Sequence, residues 1–121
     1  MADINIEEFE DAEIGSYTVL RPEGDIDAYS VGKFRESLAG LAETARIIID
    51  LSQVPFMDSA GLGALIGGIR RARDNDGIVV VACDRPSLTR LLHTTGFDRI
   101  VPVSESLDLA VEALRNGGEL S

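Results

Sequence analysis

The sequence predicts an α/β fold, with a mixed β-sheet of about four to five strands and about four helices. Short apolar runs alternate with amphipathic segments, which is typical of parallel strands joined by right-handed helical crossovers. Two strand-like runs at the start flank a glycine, which predicts a hairpin and therefore a mixed sheet. The 121 residues, 45% of them hydrophobic, suffice for one compact core.

The first half of the chain predicts a hairpin, a helix and a buried strand. Ile4 and Ile6 alternate with polar residues, and residues 17–20 form the second apolar run, after Gly15. Residues 46–51 are too uniformly apolar for a half-exposed strand, which indicates a central one. The helix between them is predicted to bury Val31, Phe34, Leu38 and Leu41.

A second helix is predicted to begin at Ser59, with this serine as its N-cap, and to end near residues 75–77. Another buried strand follows at residues 78–82. Pro86 suits the first turn of a third helix, and Gly96 ends it. The apolar positions that define these two helices are Leu62, Leu65, Ile66 and Ile69, then Leu88, Leu91 and Leu92.

The last part of the chain predicts an edge strand and a fourth helix. Residues 99–103 form the strand, and Pro102 places it at an edge of the sheet because proline cannot donate to a ladder. Ser104 is the expected N-cap of the helix, which ends before residues 117–118. We treat residues 1–121 as a single domain and expect residues 1–3 and 117–121 to be flexible ends.

Charge and cysteine content narrow the function classes. The net charge is −10, from eleven basic and twenty-one acidic residues, which argues against nucleic acid or an anionic membrane and allows a basic protein partner. The single Cys83 excludes an internal disulfide and suits a reducing compartment. No apolar run is long enough to cross a bilayer and the acidic start resembles no signal peptide, so we expect a cytoplasmic protein.

A serine surrounded by acidic residues is the main candidate site. Asp25 and Asp27 follow the second predicted strand, Asp50 ends the third, and Asp58 precedes Ser59. All four could gather at the sheet edge where α/β proteins usually bind their ligands. Asp27 and Asp58 could simply shape turns and helix starts. Together with Ser59, they could equally make a carboxylate-flanked hydroxyl at a helix N-terminus, which is a good place to accept phosphate.

Enzymatic readings of this serine fail on the residues around it. A nucleophile elbow needs a glycine where this chain has Met57. A catalytic triad would have to use the only histidine, His93, which lies within the third predicted helix and is more simply a residue of the helix face. A phosphate-accepting receiver site needs a lysine near a strand end, whereas the only lysine, Lys33, lies inside the first predicted helix. The chain has no zinc-ligand set and no phosphate-binding glycine loop. We expect no catalysis, no cofactor and no metal.

Small residues on the Ser59 helix form a second candidate surface. Ala60, Gly63, Ala64 and Gly67 are predicted to lie opposite its apolar stripe. Glycine inside a helix costs about 1 kcal/mol relative to alanine, so these residues serve either close packing within the fold or close approach of a partner. Phe56 and Met57, just before the helix, are either exposed apolar anchors or buried plugs of the loop.

Residues 50–65 closely resemble the signature of the STAS-domain anti-sigma factor antagonists. Residues 24–27 match an acidic turn of that family, and residues 79–82 and 91–97 resemble its later half, so the resemblance covers nearly the whole chain. It implies a STAS-like single domain in which Ser59 is phosphorylated by a partner that is both anti-sigma factor and ATP-dependent kinase. The unphosphorylated antagonist binds this kinase and frees a sigma factor, and a serine phosphatase restores it.

The resemblance also suggests which residues contact the kinase. Asp27 and Asp58 match acidic positions associated with that contact, and Ala60 stands where several relatives carry a second hydroxyl. The expected partner-binding set is Asp25, Asp27, Phe56, Met57, Asp58, Ser59, Ala60, Gly61, Gly63, Ala64 and Gly67. The alternative function is a STAS module of a transporter-associated or lipid-transport assembly without phosphorylation. A serine instead of threonine and the absence of a membrane span favour the antagonist.

Overall fold

The computed structural model describes residues 3–119. Five strands form one sheet in the order β1-β2-β3-β4-β5. They are β1 (Asp3–Asp11), β2 (Gly15–Glu23), β3 (Arg46–Asp50), β4 (Ile78–Ala82) and β5 (Val103–Ser104). The helices are α1 (Val31–Gly40), α2 (Ser59–Asp74), α3 (Pro86–Thr94) and α4 (Leu107–Arg115). This mixed α/β architecture confirms the predicted fold class.

The sheet begins with the predicted antiparallel hairpin and continues with the predicted parallel strands. β1 pairs antiparallel with β2 along its whole length, and Gly15 begins β2 with a φ of 82° that few other residues adopt. The pairs β2–β3, β3–β4 and β4–β5 are all parallel. The loops that follow β2, β3 and β4 therefore lie at one edge of the sheet.

The sheet separates two hydrophobic cores. Alternate strand residues face α1, α2 and α3 on one side, where Phe34, Leu65 and Leu92 are fully buried. The other strand residues face α4, against which Ile48 and Val80 pack. Because both sides are covered, β4 is apolar throughout and β3 is apolar at its three central positions, as the sequence pattern indicated.

The predicted strand over residues 99–103 is wrong. A short 3-10 helix spans Phe97–Arg99, and only Val103 and Ser104 belong to β5. The N–H groups of Ile100 and Val101 both donate to the Phe97 carbonyl oxygen, at 2.9 and 3.3 Å, so these residues are held in a turn and cannot join the ladder. β5 is nevertheless an edge strand, as Pro102 predicted.

Ser104 is not the cap of the last helix. It lies in β5, and the hydroxyl of Ser106 accepts the cap hydrogen bond from the N–H of Leu109 at 3.2 Å. At the two ends, Asp3 pairs with Glu23, and Gly118 N–H donates to the Ala113 carbonyl at 2.8 Å. The rest of the expected flexible ends, residues 1–2 and 120–121, lies outside the described residues.

An ion pair joins the hairpin to the end of α4. The Nε of Arg115 donates to Asp11 Oδ2 at 3.1 Å. This bond, reinforced by the N–H of Glu13 and opposed by burial, lowers the pKa of Asp11 from 3.8 to about 2. Since the carboxylate is charged more readily in the folded state, its contribution to stability is present above the unfolded pKa and is lost as the pH falls toward 2.

We expect Asp11→Asn to lose this pH-dependent stabilisation. Urea unfolding should show the wild type more stable than the variant at about pH 6, with the difference shrinking between about pH 4 and about pH 2. Glu8→Gln, which changes an exposed carboxylate on the same strand, is the control and should show little difference at any pH. A difference between wild type and Asp11→Asn that does not change with pH would contradict the assignment.

Candidate functional site

The loops after β2 and β3 lie side by side at the carboxyl edge of the sheet. Gly24 N–H donates to the Gln53 carbonyl at 2.9 Å, and Ile26 N–H donates to the Phe56 carbonyl at the same distance. The N–H of Asp58 completes the pairing with a 3.2 Å bond to the Ile26 carbonyl. These bonds bring the two acidic segments predicted from the sequence against each other, next to the start of α2.

Asp58, not Ser59, is the N-cap of α2. Its backbone is extended, with φ −97° and ψ −173°, and its Oδ1 accepts a 3.0 Å bond from the N–H of Gly61. The predicted cap was wrong by one residue, because aspartate caps a helix as well as serine does. Ser59 is consequently the first helical residue, and it is exposed to solvent.

The second carboxylate oxygen of Asp58 holds the neighbouring loop. Asp58 Oδ2 accepts a 3.0 Å bond from the N–H of Ala28. One carboxylate thus joins the first turn of α2 to the segment that precedes α1. Both of its oxygens are engaged inside the protein, so Asp58 shapes the surface around Ser59 and is poorly placed to act as a base.

Asp27 is held in a turn of its own. Its Oδ1 accepts bonds from the N–H of Tyr29, the N–H of Ser30 and the Ser30 hydroxyl, at 3.0 to 3.1 Å. Partial burial disfavours the charged form, but these three donors outweigh it, so the pKa of Asp27 lies below its usual value. Asp25 is exposed, and its carbonyl accepts the Ser30 hydroxyl at 2.9 Å.

Phe56 and Met57 have opposite environments. Met57 is only 3% exposed and packs in the core, so it is a buried plug of the loop and not an exposed anchor. The reason is the bridge between Ile26 and Met57, which adds two residues of strand-like pairing and turns the methionine inward. Phe56 is 53% exposed. It alone of the pair can contact a partner without rearrangement.

The glycines of α2 fall into two classes. A Cβ on Gly61 would lie 2.7 Å from the Ile26 carbonyl oxygen, and one on Gly68 would lie 2.8 Å from the Cδ1 of Leu38. Those two glycines allow α2 to pack closely against the fold. By contrast, nothing lies within 4 Å of a Cβ built on Gly63 or Gly67. The fold does not require glycine at these two positions.

Ala64 is misplaced in the predicted small-residue face. The buried face of α2 is centred on Gly61, Leu65, Gly68 and Ala72, and Ala64 borders it with 5% exposure. The expected inward residues Leu62 and Ile66 are only partly buried. The helix is rotated relative to the prediction because the buried glycines, which carry no hydropathy signal, lie on its inner side. Gly63 and Gly67 remain on the outer side, whereas Ala60 is partly buried and packs against the core.

Tyr29 is a residue of this surface that sequence reasoning missed. It lies in the loop held by Asp58, and its side chain is 100% exposed. An aromatic residue inside a short acidic turn, between Asp27 and the start of a helix, was the available signal. Hydrophobic periodicity identifies the buried faces of helices and strands, so it gives no information about a residue in a turn.

Within residues 3–119, the histidine lies beside an aspartate and no metal-binding cluster of side chains is found. His93, the only histidine, lies on α3 and its Nδ1 is 2.8 Å from Asp98 Oδ2. Among residues 3–119, no three His, Cys, Asp or Glu side chains are grouped to hold a metal ion. Over the same residues, no helix is long and apolar enough to span a bilayer. The geometry presents an accessible hydroxyl on a preformed surface, which suits recognition by another protein.

Comparison with known proteins identifies the family. The STAS domain family matches residues 4–110. The chain belongs to the STAS family. It is 33% identical over 96 residues to the anti-sigma-B factor antagonist of Listeria monocytogenes, covering 78% of this chain and 80% of that protein. It is 34% identical over 90 residues to the protein of that name from Bacillus subtilis, covering 74% and 83%.

A solved structure with a similar fold has the same kind of name. An anti-sigma factor antagonist from Mycobacterium paratuberculosis superposes with a TM-score of 0.78 and 25% identity, over 93% of this STAS chain and 95% of the other. All three relatives are named as anti-sigma factor antagonists. The resemblance inferred from residues 50–65 is thereby confirmed at the level of the family and of the fold.

The two glycine classes predict opposite effects of the same substitution. Gly63→Ala should raise the free energy of unfolding by up to about 1 kcal/mol, because alanine favours the helix and its methyl group meets nothing. Gly68→Ala should lower it by about 1–3 kcal/mol, because the methyl group overlaps Leu38. Urea denaturation of both variants measures this difference. Equal effects would contradict the assignment of Gly63 to a face that the fold leaves free.

Proposed function

We propose that this STAS protein is an anti-sigma factor antagonist controlled by phosphorylation of Ser59. The unphosphorylated form binds an anti-sigma factor serine kinase and releases a sigma factor; phosphorylation ends the binding, and a serine phosphatase restores it. In this proposal, all these steps take place in the cytoplasm. The observation that carries the proposal is an exposed Ser59 in the first turn of α2, in a chain about one-third identical to named antagonists.

Ser59 is well suited to accept phosphate. Asp58 caps the helix in its place, so the serine hydroxyl is not needed for capping. The first turn of an α-helix carries a partial positive charge that stabilises a phosphate by about 0.3–1 kcal/mol. Ala60 offers no competing hydroxyl next to it. A kinase that docks on this surface therefore meets one acceptor.

Phosphate would block binding without refolding the domain. It adds about −1.5 to −2 charges beside Asp58 and Asp27. The carboxylate bonds that hold the loops are internal and remain in place, so the main cost arises at the partner surface. A kinase holds its nucleotide phosphates opposite the acceptor, and an unpaired dianion pressed against them costs about 2–5 kcal/mol. That range corresponds to a loss of affinity of roughly 30-fold to several thousandfold.

The remaining docking surface consists of residues that the fold leaves accessible. Gly63 and Gly67 have open space around the Cβ position, and Ala60, which is partly buried against the core, borders them on the same helix. A partner helix or backbone can approach such a smooth face closely. Phe56, half-exposed just before the helix, supplies an apolar contact at one end. Met57, Gly61 and Ala64 support this surface from inside.

Phosphate transfer to Ser59 is the decisive test. Anti-sigma factor kinases of the source organism are incubated one by one with ATP and the wild-type chain, and the phosphate is mapped by mass spectrometry. We expect Ser59 to be labelled, Ser59→Ala to bind the same kinase without being released by ATP, and Ser59→Asp to bind poorly. If no kinase labels Ser59, the proposal fails and an unphosphorylated STAS module of another assembly takes its place.

Blocking the smooth face of α2 should weaken binding independently of phosphorylation. Gly63→Leu places a bulky side chain where nothing lies within 4 Å, so we expect an intact fold and at least about tenfold weaker kinase binding by calorimetry. Gly40→Leu is the matched control, since Gly40 also has open space but ends α1 far from Ser59. Unchanged affinity of the Gly63 variant would remove the Gly63 face of α2 from the interface.

A further inference from the structure

Tyr29 is a fully exposed aromatic side chain on a fixed backbone. Its own N–H donates to Asp27 Oδ1 at 3.0 Å, and the preceding N–H, that of Ala28, donates to Asp58 Oδ2 at 3.0 Å. Its side chain is 100% exposed, so no packing within the described residues accounts for an aromatic ring at this position. A rigid loop that displays a ring in this way loses little conformational entropy when the ring is covered.

The surroundings of Tyr29 are acidic. Glu23, Asp25 and Asp27 precede the ring, and Asp58 adds a fourth carboxylate to the same surface. The basic residue nearest in sequence, Lys33, is paired with Asp3, with 3.8 Å between Nζ and Oδ1. The face of an aromatic ring attracts cations, and nearby carboxylates strengthen that attraction. A ring in these surroundings therefore favours an arginine or lysine side chain over another apolar group.

We propose that Tyr29 is an aromatic anchor that packs beneath an arginine or lysine side chain of the kinase. The proposal rests on the function proposed above and adds the chemistry of one contact. Because Asp58 ties the Tyr29 loop to the first turn of α2, a partner that covers Ser59 also meets the ring. Tyr29 positions the kinase and takes no part in phosphate transfer.

Two substitutions of Tyr29 distinguish the contribution of the aromatic ring to binding from that of a merely apolar side chain. The probe is the kinase that labels Ser59 of the wild-type chain. Tyr29→Leu keeps an apolar side chain but removes the ring, and we expect the Kd to rise about tenfold. Tyr29→Phe keeps the ring, so its Kd should stay within about twofold of the wild-type value. Both should leave the urea unfolding midpoint unchanged, because the side chain is exposed.

Controls and kinetics distinguish docking from other roles. Leu109→Ala removes an exposed apolar side chain on α4, on the opposite side of the sheet, and should bind as the wild type does. In the phosphorylation assay, Tyr29→Leu should raise KM and leave kcat unchanged, because the residue does not touch the reacting atoms.

Each other outcome overturns the inference in a recognisable way. Wild-type affinity of Tyr29→Leu shows that the ring makes no contact. A loss with Tyr29→Phe as large as with Tyr29→Leu shows that the hydroxyl, not the ring, is recognised. Both results leave Ser59 phosphorylation standing and remove only the Tyr29 anchor. Failure of every kinase to label the wild-type chain removes the proposed function and the anchor together.

Discussion

The surface around Ser59 depends on one carboxylate. Asp58 caps α2 through one oxygen and holds the N–H of Ala28 through the other. Parallel pairing of β2 and β3 aligns the two loops that follow them, and backbone bonds between these loops reach as far as Ile26 and Asp58. Asp58 continues the connection beyond that point. Because it also takes over the capping role, Ser59 is left with an exposed hydroxyl in the most electropositive turn of the helix.

Close packing within the fold explains some of the glycines in α2 and leaves others unexplained. Gly61 and Gly68 are glycines because a Cβ would overlap Ile26 or Leu38. No such reason exists for Gly63, which costs helix stability without improving the packing. A residue that is unfavourable for folding and exposed is best explained by an external partner. The same holds for Tyr29, because a fully exposed aromatic ring contributes little to the stability of the fold.

The prediction from sequence succeeded where one local pattern decided the outcome. The hairpin, the two buried strands and the four helices all follow from hydrophobic period and glycine punctuation. The errors fall where neighbouring residues compete for one role. Asp58 and Ser59 are both good caps, as are Ser104 and Ser106, and only the backbone geometry selects between them. Residues 99–103 are apolar enough for a strand, but turn hydrogen bonds to Phe97 take their N–H groups away from the ladder.

The sequence by itself determined the fold class, the family and the position of the exposed serine, because these depend on periodicity and on a contiguous motif. Only the tertiary structure decided which residues of the candidate site are exposed. Met57 is turned inward by its pairing with Ile26, and Phe56 next to it is left outside. Tyr29 joins the surface of Ser59 through a bond between segments thirty residues apart. Such contacts arise from strand pairing between distant parts of the chain, which no local pattern encodes.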